Sequence, residues 1–322
     1  MHVPSPPTYS LRISVTDRCQ FRCRYCMPPE GVQLRPHAEV LRYEEIAALV
    51  QALNRIIPLG KVRLTGGEPL IRPGIDKLVA MLAALGIPEI PLTTNGQLLA
   101  SLAAPLRAAG LTRITISLDS LNAQTYRKLT KSGELNRTLE GIQAALRCGL
   151  TPVKLNMVVM RGENDAEIPE MVAFALEQGV EVRFLEVMPI GTARTKHADW
   201  YVPSTEVMAA IQTRYRLEPI PRAIGSTSRS YLAVDAQGRS GRIGFISACS
   251  APFCTDCNRL RLTSDGRLIG CLAADHGVPV RDMLAAGADG MQQLERALHE
   301  ILARKKIRET FQQPQIMATI GG

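Results

Sequence analysis

Short apolar runs alternate with longer amphipathic stretches as far as Met188. Leu11–Val15, Lys61–Thr65, Ile90–Thr93, Arg113–Leu118, Val153–Met160 and Val182–Met188 have the length and aliphatic content of buried strands. Between them, Tyr43–Ile57, Gly74–Leu85, Gln97–Ala109, Leu135–Cys148 and Asp165–Gln178 repeat apolar residues at helical spacing, with a further short helix before Leu135. Six β/α repeats in this order predict a parallel sheet with right-handed crossovers. No Gly-x-Gly-x-x-Gly follows the first strand, which counts against a dinucleotide-binding open sheet. Polar motifs instead recur at the C-terminal end of each strand, the functional face of β/α barrels, although six units are too few for the eightfold barrel. Beyond about residue 220 the pattern changes. Strands shorten, as in Ser230–Val234 and Arg242–Ile246, and Met291–Ile307 is helical. No Gly/Ser-rich linker intervenes, so residues 221–322 are expected as a small α+β domain packed on the open side of a barrel formed by residues 1–220.

The first strand runs into Cys19-Gln20-Phe21-Arg22-Cys23-Arg24-Tyr25-Cys26. Three thiolates at C-x3-C-x2-C spacing can hold three corners of a four-iron cubane and leave the fourth iron open to a ligand. A zinc site is the alternative, but zinc usually closes with a fourth Cys or His nearby, and none follows within the next ten residues. The aromatic ring of Tyr25, directly before the last ligand, is placed to cover a bound cofactor. After the second strand comes Gly66-Gly67-Glu68-Pro69, where glycines allow backbone to approach a ligand. Ser117 and Asp119 end the fourth strand, and Asn156 and Met188 lie on later strands of the same face. A second group, Cys254-x2-Cys257-x13-Cys271, has Cys249 just upstream. All four would make a closed site. Cys254, Cys257 and Cys271 alone would make a second open cluster; spacing does not decide between these, and the habits of metal sites favour the closed one.

At 322 residues the chain can bury one large or two unequal domains. Hydrophobic residues make up 46% and aromatic residues only 4%, so the core is aliphatic, as buried parallel strands require. The net charge of +8 favours an anionic partner. Lys and Arg are dispersed and stacking aromatics are few, which weakens a nucleic-acid reading; a small polyphosphate accounts for the charge as well, and so does a solvated basic surface. No segment approaches the ~20 apolar residues of a membrane span. Met1–Ser10 is polar and proline-rich without a signal core, so a cytoplasmic protein free of the membrane is expected. Eight cysteines in a reducing compartment point to metal or catalysis rather than disulfides. Cys148, alone on a helical pattern, reads as a small buried apolar residue.

The triple-cysteine loop and the Gly-Gly-Glu-Pro turn resemble those of the radical S-adenosylmethionine (SAM) enzymes, in which the open iron chelates SAM and the cluster cleaves it reductively. This implies a laterally open, partial (β/α)6 barrel of radical SAM type. A narrower resemblance rests on Cys254-Thr255-Asp256-Cys257-Asn258-Arg259-Leu260-Arg261-Leu262, Gly270-Cys271-Leu272, Ile71-Arg72, Leu92-Thr93-Thr94-Asn95-Gly96 and the terminal Gly321-Gly322. These are similar to the molybdenum cofactor biosynthesis protein A family, the GTP 3′,8-cyclases, from about Leu11 to the end. The resemblance implies two 4Fe–4S clusters, one on Cys19, Cys23 and Cys26 and one on Cys254, Cys257 and Cys271, with Cys249 a bystander. It implies SAM bound by Tyr25, Gly67, Ser117 and Met188. It implies GTP bound by Arg12, Arg63, Thr94, Lys154, Arg259, Leu260 and Arg261, and a Gly321-Gly322 tail that reaches the active site. The reaction implied is cyclisation of GTP to (8S)-3′,8-cyclo-7,8-dihydroguanosine 5′-triphosphate, begun by abstraction of the ribose 3′ hydrogen. The partners implied are an external electron donor, cyclic pyranopterin monophosphate synthase downstream, and a second copy in a homodimer. Two rivals are a peptide-maturing radical SAM enzyme and a non-catalytic zinc protein. The short Cys-x2-Cys-Asn-Arg-x-Arg segment argues against the first, and the strand-end motifs have no role in the second.

Overall fold

A computed structural model describes residues 8–273, 277–305 and 317–320. Six parallel strands follow one another across the sheet in chain order: β1 (Tyr9–Ser14), β2 (Leu59–Thr65), β3 (Pro91–Thr94), β4 (Arg113–Ser117), β5 (Lys154–Val159) and β6 (Glu181–Glu186). Each crossover is helical, and the helices bury their apolar stripe on the sheet. In Tyr43–Ile56, for example, Ile46, Leu49, Val50 and Leu53 recur at i, i+3, i+4 and i+7 and are all buried. The expected short helix is Ala123–Thr130, capped by Asn122, whose Oδ1 accepts from Gln124 N at 2.9 Å and Thr125 N at 3.0 Å.

The C-terminal segment adds strands to both edges of this sheet. An antiparallel meander, β7 (Arg216–Ile220), β8 (Arg229–Val234) and β9 (Ser240–Ile246), joins through β9, which runs parallel to β6. The chain then crosses to the far edge. There β10 (Arg259–Leu262) runs parallel to β1, followed antiparallel by β11 (Arg267–Ile269) and β12 (Val278–Pro279). The order β12-β11-β10-β1-β2-β3-β4-β5-β6-β9-β8-β7 is open, so the barrel is partial, as expected. Eight neighbouring strands are parallel, but only six come from β/α repeats; β9 and β10 enter through hairpins. The last long helix, Gly287–Lys305, packs Leu294, Leu298 and Ile301 into the same core.

On the helix-facing side, Phe184 of β6 stands opposite Phe245 of β9, with ring centroids 6.0 Å apart, and Phe245 meets Tyr231 of β8 edge-on at 5.5 Å. This aromatic seam fastens the meander to the barrel, because such pairs add to their burial. Phe184 is 1% exposed. Phe184→Ala is expected to lower unfolding stability by about 3–5 kcal/mol, measured by chemical denaturation.

Candidate active site

Two cysteine groups lie at opposite ends of the barrel, one after the C-terminal end of β1 and one beside its N-terminal end, where Asn258 O accepts from Ser10 N at 3.0 Å. The first lies on the loop after β1. Cys26 N and Met27 N both bond Cys23 O at 2.9 Å, which makes a tight turn between the last two cysteines. Arg22 N and Arg24 N donate to Thr130 O and Leu129 O at 3.0 Å and dock the loop on the end of the Ala123–Thr130 helix. Phe21, buried, packs edge-on against Tyr126 at 6.2 Å. Phe21 N points at Cys19 Sγ, 3.3 Å away.

Burial pushes the Cys19 thiol up to about 12, with Glu68 and Cys26 adding to the shift. Cys23 is pushed well above the ordinary thiol range by burial and then by the charges of Cys26, Asp119 and Cys19. The three sulfurs are thus near enough to repel as thiolates. Such a set needs a positive centre, and a bound metal centre deprotonates its thiols outright. Among the described residues, no three His, Cys, Asp or Glu side chains converge on a point that would hold a single metal ion. A cubane demands less convergence, because each thiolate binds its own iron. The donor chemistry fits an iron–sulfur cluster.

Against this loop lies the turn after β2. Gly67 N donates to Thr16 O at 2.7 Å and Glu68 N to Arg18 O at 2.8 Å. A Cβ on Gly67 would stand 2.2 Å from the Arg18 carbonyl oxygen, so only glycine permits the contact. Glu68 is buried and ties β2 to β3: its carboxylate accepts from Leu70 N at 3.0 Å, Thr94 Oγ1 at 2.6 Å and Asn95 N at 2.7 Å. Burial outweighs these bonds and raises its pKa to about 7. Thr94 therefore sits at the strand end with its hydroxyl committed to Glu68.

Tyr25 reaches across the mouth, its hydroxyl donating to Asp119 Oδ2 at 2.8 Å, while Asp119 Oδ1 accepts from Val158 N at 2.9 Å. Ser117 stands opposite Asn156, and Asn156 opposite Arg183. Asn156 Oδ1 is buried without a hydrogen-bond partner, an acceptor aimed at the lumen. Met188 follows β6 and is half-buried.

Deeper in the lumen, register places three arginines side by side on neighbouring strands: Arg261 of β10, Arg12 of β1 and Arg63 of β2. Like charges directly opposite one another are destabilising. Arg12 is driven down to about 10, by burial first and then by Arg259. Arg63 and Arg261 fall well below the ordinary range from burial and then from Arg12. Arg63 Nη1 donates to Thr93 Oγ1 at 3.0 Å and Thr115 Oγ1 at 3.2 Å. Lys154, across the lumen, pairs with Glu181 at 2.6 Å, and Arg183 holds the other Glu181 oxygen at 2.6 Å. Leu260 points away into the core.

The second cysteine group joins this cationic wall. Cys257 Sγ accepts from Arg259 Nη2 at 3.1 Å and Nε at 3.3 Å. Burial opposes ionisation there, but Arg259 and Lys305 outweigh it and bring Cys257 down to about 7. Lys305, in the last turn of its helix, donates to the carbonyls of Arg259 and of Gly270, the latter at 2.8 Å, and feels both Cys257 and Cys271. Cys254 is exposed one turn upstream, its carbonyl accepting from Cys257 N at 3.2 Å. Cys249 has other company: its sulfur lies 3.5 Å from Val187 O and 3.9 Å from His197 Nε2. Gly321 and Gly322 lie outside the described residues.

Sequence reasoning missed Arg183 and Lys305. An arginine flanked by Val182 and Phe184 on a buried strand was the available signal for Arg183; nothing local marks Lys305. In metal-free protein, alkylation of Cys257 is expected to rise with pH through a midpoint near 7, as its thiolate forms, while Cys19 stays unreactive at mildly alkaline pH. Arg259→Gln moves that midpoint up toward the ordinary ~8.5. Peptide mapping after timed iodoacetamide exposure reads both.

Residues 13–175 match the model of the radical SAM superfamily, and residues 180–311 match that of the molybdenum cofactor synthesis C family. A GTP 3′,8-cyclase of Moorella thermoacetica is 44% identical over 317 residues, covering 97% of this chain and 97% of its own length. One from Geobacter sulfurreducens is 42% identical, covering 97% and 96%. Among solved structures, SuiB of Streptococcus suis bound to S-adenosylmethionine superposes with a TM-score of 0.62 at 14% identity. That superposition covers 85% of this chain and 64% of SuiB, and it speaks to the fold alone. With the two cysteine loops and the partial barrel already in place, identity at this level across nearly the whole length leads to one conclusion: the chain belongs to the radical SAM superfamily and, within it, to the GTP 3′,8-cyclase family.

Proposed function

We propose that this chain catalyses the radical cyclisation of GTP to (8S)-3′,8-cyclo-7,8-dihydroguanosine 5′-triphosphate, the first step of molybdenum cofactor biosynthesis. The observation that carries the reading is the ladder Arg261–Arg12–Arg63, one buried and two half-buried arginines in register inside the barrel. A stack of like charges in a low-dielectric wall is costly unless a polyanion binds it. Arginine is the side chain suited to bidentate phosphate recognition. The triphosphate of GTP meets that need.

Bound at Cys19, Cys23 and Cys26, a 4Fe–4S cluster with SAM supplies one-electron reductive cleavage and, through the adenosyl fragment, hydrogen abstraction from the ribose C3′. The chain's own residues supply position, which can account for a large part of a barrier. Tyr25, locked by Asp119, covers the cluster loop. Gly67, Ser117 and Met188 line the SAM side, and Asn156 Oδ1 offers an acceptor for a hydroxyl. Arg12, Arg63, Thr94, Lys154 and Arg261, with the missed Arg183, take the triphosphate side. Below them the ion pair of Lys61 with Glu89 at 3.1 Å and the contact of Arg113 with Glu89 close the bottom of the barrel.

The same reading places a second 4Fe–4S cluster on Cys254, Cys257 and Cys271. Arg259 and Arg261 follow directly, so that the guanine is held between cluster and ladder, while Leu260, expected on the GTP side, faces the core instead. Residues 221–322 form its domain, and Cys249, engaged with Val187 and His197, stands apart. The Gly321-Gly322 tail, an external electron donor, a homodimer and a downstream cyclic pyranopterin monophosphate synthase belong to the proposal. So does a cytoplasmic setting, since thiolate ligands need a reducing compartment. Among the described residues no helix is long and apolar enough to cross a membrane.

The test is anaerobic turnover with SAM, dithionite and GTP, with products identified by mass spectrometry. Formation of 5′-deoxyadenosine together with a GTP isomer is expected; 5′-deoxyadenosine without the isomer sinks the GTP reading. A second outcome follows from the ladder. Arg63→Met is expected to weaken GTP binding about 10–100-fold, the worth of charge-assisted hydrogen bonds. It should also raise the stability of ligand-free protein by up to about 1 kcal/mol by relieving cross-strand repulsion. Calorimetric titration and denaturant unfolding read these separately.

A further inference from the structure

β9 and β10 lie on opposite edges of the six-stranded sheet, so the chain between them must cross the lateral opening of the barrel. That crossing, residues 247–258, contains no strand or helix and carries both Cys254 and Cys257. Its placement cannot come from a ladder of its own. It comes in part from one side chain on the barrel, Glu186, the last residue of β6, which is 3% exposed.

The Glu186 carboxylate gathers five neutral donors. Oε1 accepts from Ser204 N and Ser204 Oγ, both at 2.9 Å, and from Ser250 Oγ. Oε2 accepts from Cys249 N at 2.8 Å and Ser250 N at 2.9 Å. Ser204 opens the helix Ser204–Gln212, so its N–H is one of the helix's orphan donors. Ser247 Oγ donates to Ser204 Oγ at 2.7 Å and adds the first residue of the crossing to the same knot. At its other end the crossing is held by Arg222, which meets Asp256 Oδ1 at 2.7 Å, and by Gly225 N, which donates to Asp256 Oδ2 at 2.9 Å. The Asp256 pair is substantially solvent-exposed, and such ion pairs contribute little. The buried knot at Glu186 is the firmer of the two anchors. A carboxylate suits it because every neighbour is a donor; an amide would present its NH2 to N–H and O–H groups and leave donors buried and unmet.

We propose that Glu186 is a positioning residue for the second cluster. By fixing Ser247, Cys249 and Ser250 to the rim of β6, it sets where the crossing leaves the barrel and therefore where Cys254 and Cys257 meet Cys271. This rests on the assignment of that cluster to Cys254, Cys257 and Cys271. Cys249 belongs to the knot through its backbone N–H, which gives the position a role that needs no thiolate.

The experiment is iron counting with Mössbauer and EPR spectroscopy on the anaerobically reconstituted full chain, comparing wild type with Glu186→Gln and Ser250→Ala. Wild type holding about four irons rather than about eight overturns the two-cluster assignment itself, whatever the variants do. With about eight in wild type, Glu186→Gln is expected to keep the first cluster and its spectral response to SAM while losing most of the second. Ser250→Ala, which removes a single donor group from the knot, is expected to lose a smaller share of the second cluster alone. Full iron and an unchanged second-cluster spectrum in both variants overturn the proposal. Parallel loss of both clusters in both variants overturns it too, since Glu186 would then be a general folding group.

Discussion

Two parallel pairings at opposite edges of the sheet, β10 on β1 and β9 on β6, set the geometry on which everything else depends. A six-stranded open barrel exposes two edges of unmet N–H and C=O groups, which natural proteins pair or cover. Here the C-terminal segment pairs both. In doing so it has to cross the lateral opening, and the crossing delivers Cys254 and Cys257 to the N-terminal end of β1, the opposite end from the loop that holds Cys19, Cys23 and Cys26. The antiparallel turn from β10 into β11 then returns Cys271 beside Cys254 and Cys257. One topological decision satisfies the backbone and assembles a barrel with a cysteine set at each end.

The barrel is electrostatically unfinished. Burial raises Cys19 and Cys23, and the neighbouring sulfurs add to the shift. Burial lowers Arg12, Arg63 and Arg261, and neighbouring arginines lower them further. These are opposite faults, and the proposed function answers each with a different ligand: iron for the sulfurs, a polyphosphate for the arginines. A sequence selected for stability alone would carry neither. This is how a binding site trades folding free energy for affinity.

All six barrel strands and the helices that connect them were legible in the chain, because alternation of short apolar runs with amphipathic stretches is a local signal; the helix Ser204–Gln212 after β6 was not. Boundaries were less so. β1 begins at Tyr9, earlier than its apolar run, because Tyr9 N finds Pro58 O at 2.8 Å. β6 ends at Glu186, before Val187 and Met188, because the carboxylate turns to the crossing. β7, β10, β11 and β12 gave no pattern of their own; they are short, several of their residues are charged, and β10 finds its parallel partner, β1, at the far end of the chain. The triple-cysteine loop and Cys254-x2-Cys257 were readable as motifs because their ligands are neighbours along the chain. Arg183, Lys305 and Glu186 were not singled out, because what gives them a role is a partner from another element.

By itself the sequence determined the parallel β/α order, the aliphatic core, the two thiolate groups and the glycine turn that backs the first of them. Each of these is written in residue type and short spacing. Tertiary structure decided the remainder: that Arg12, Arg63 and Arg261 share one rung, that Cys249 turns toward His197 and Val187 while Cys257 faces Arg259, and that a glutamate at the end of β6 ties down the crossing. Strand register and edge pairing are set by packing between residues far apart in the chain. A one-residue slip would turn every one of those side chains to the other face.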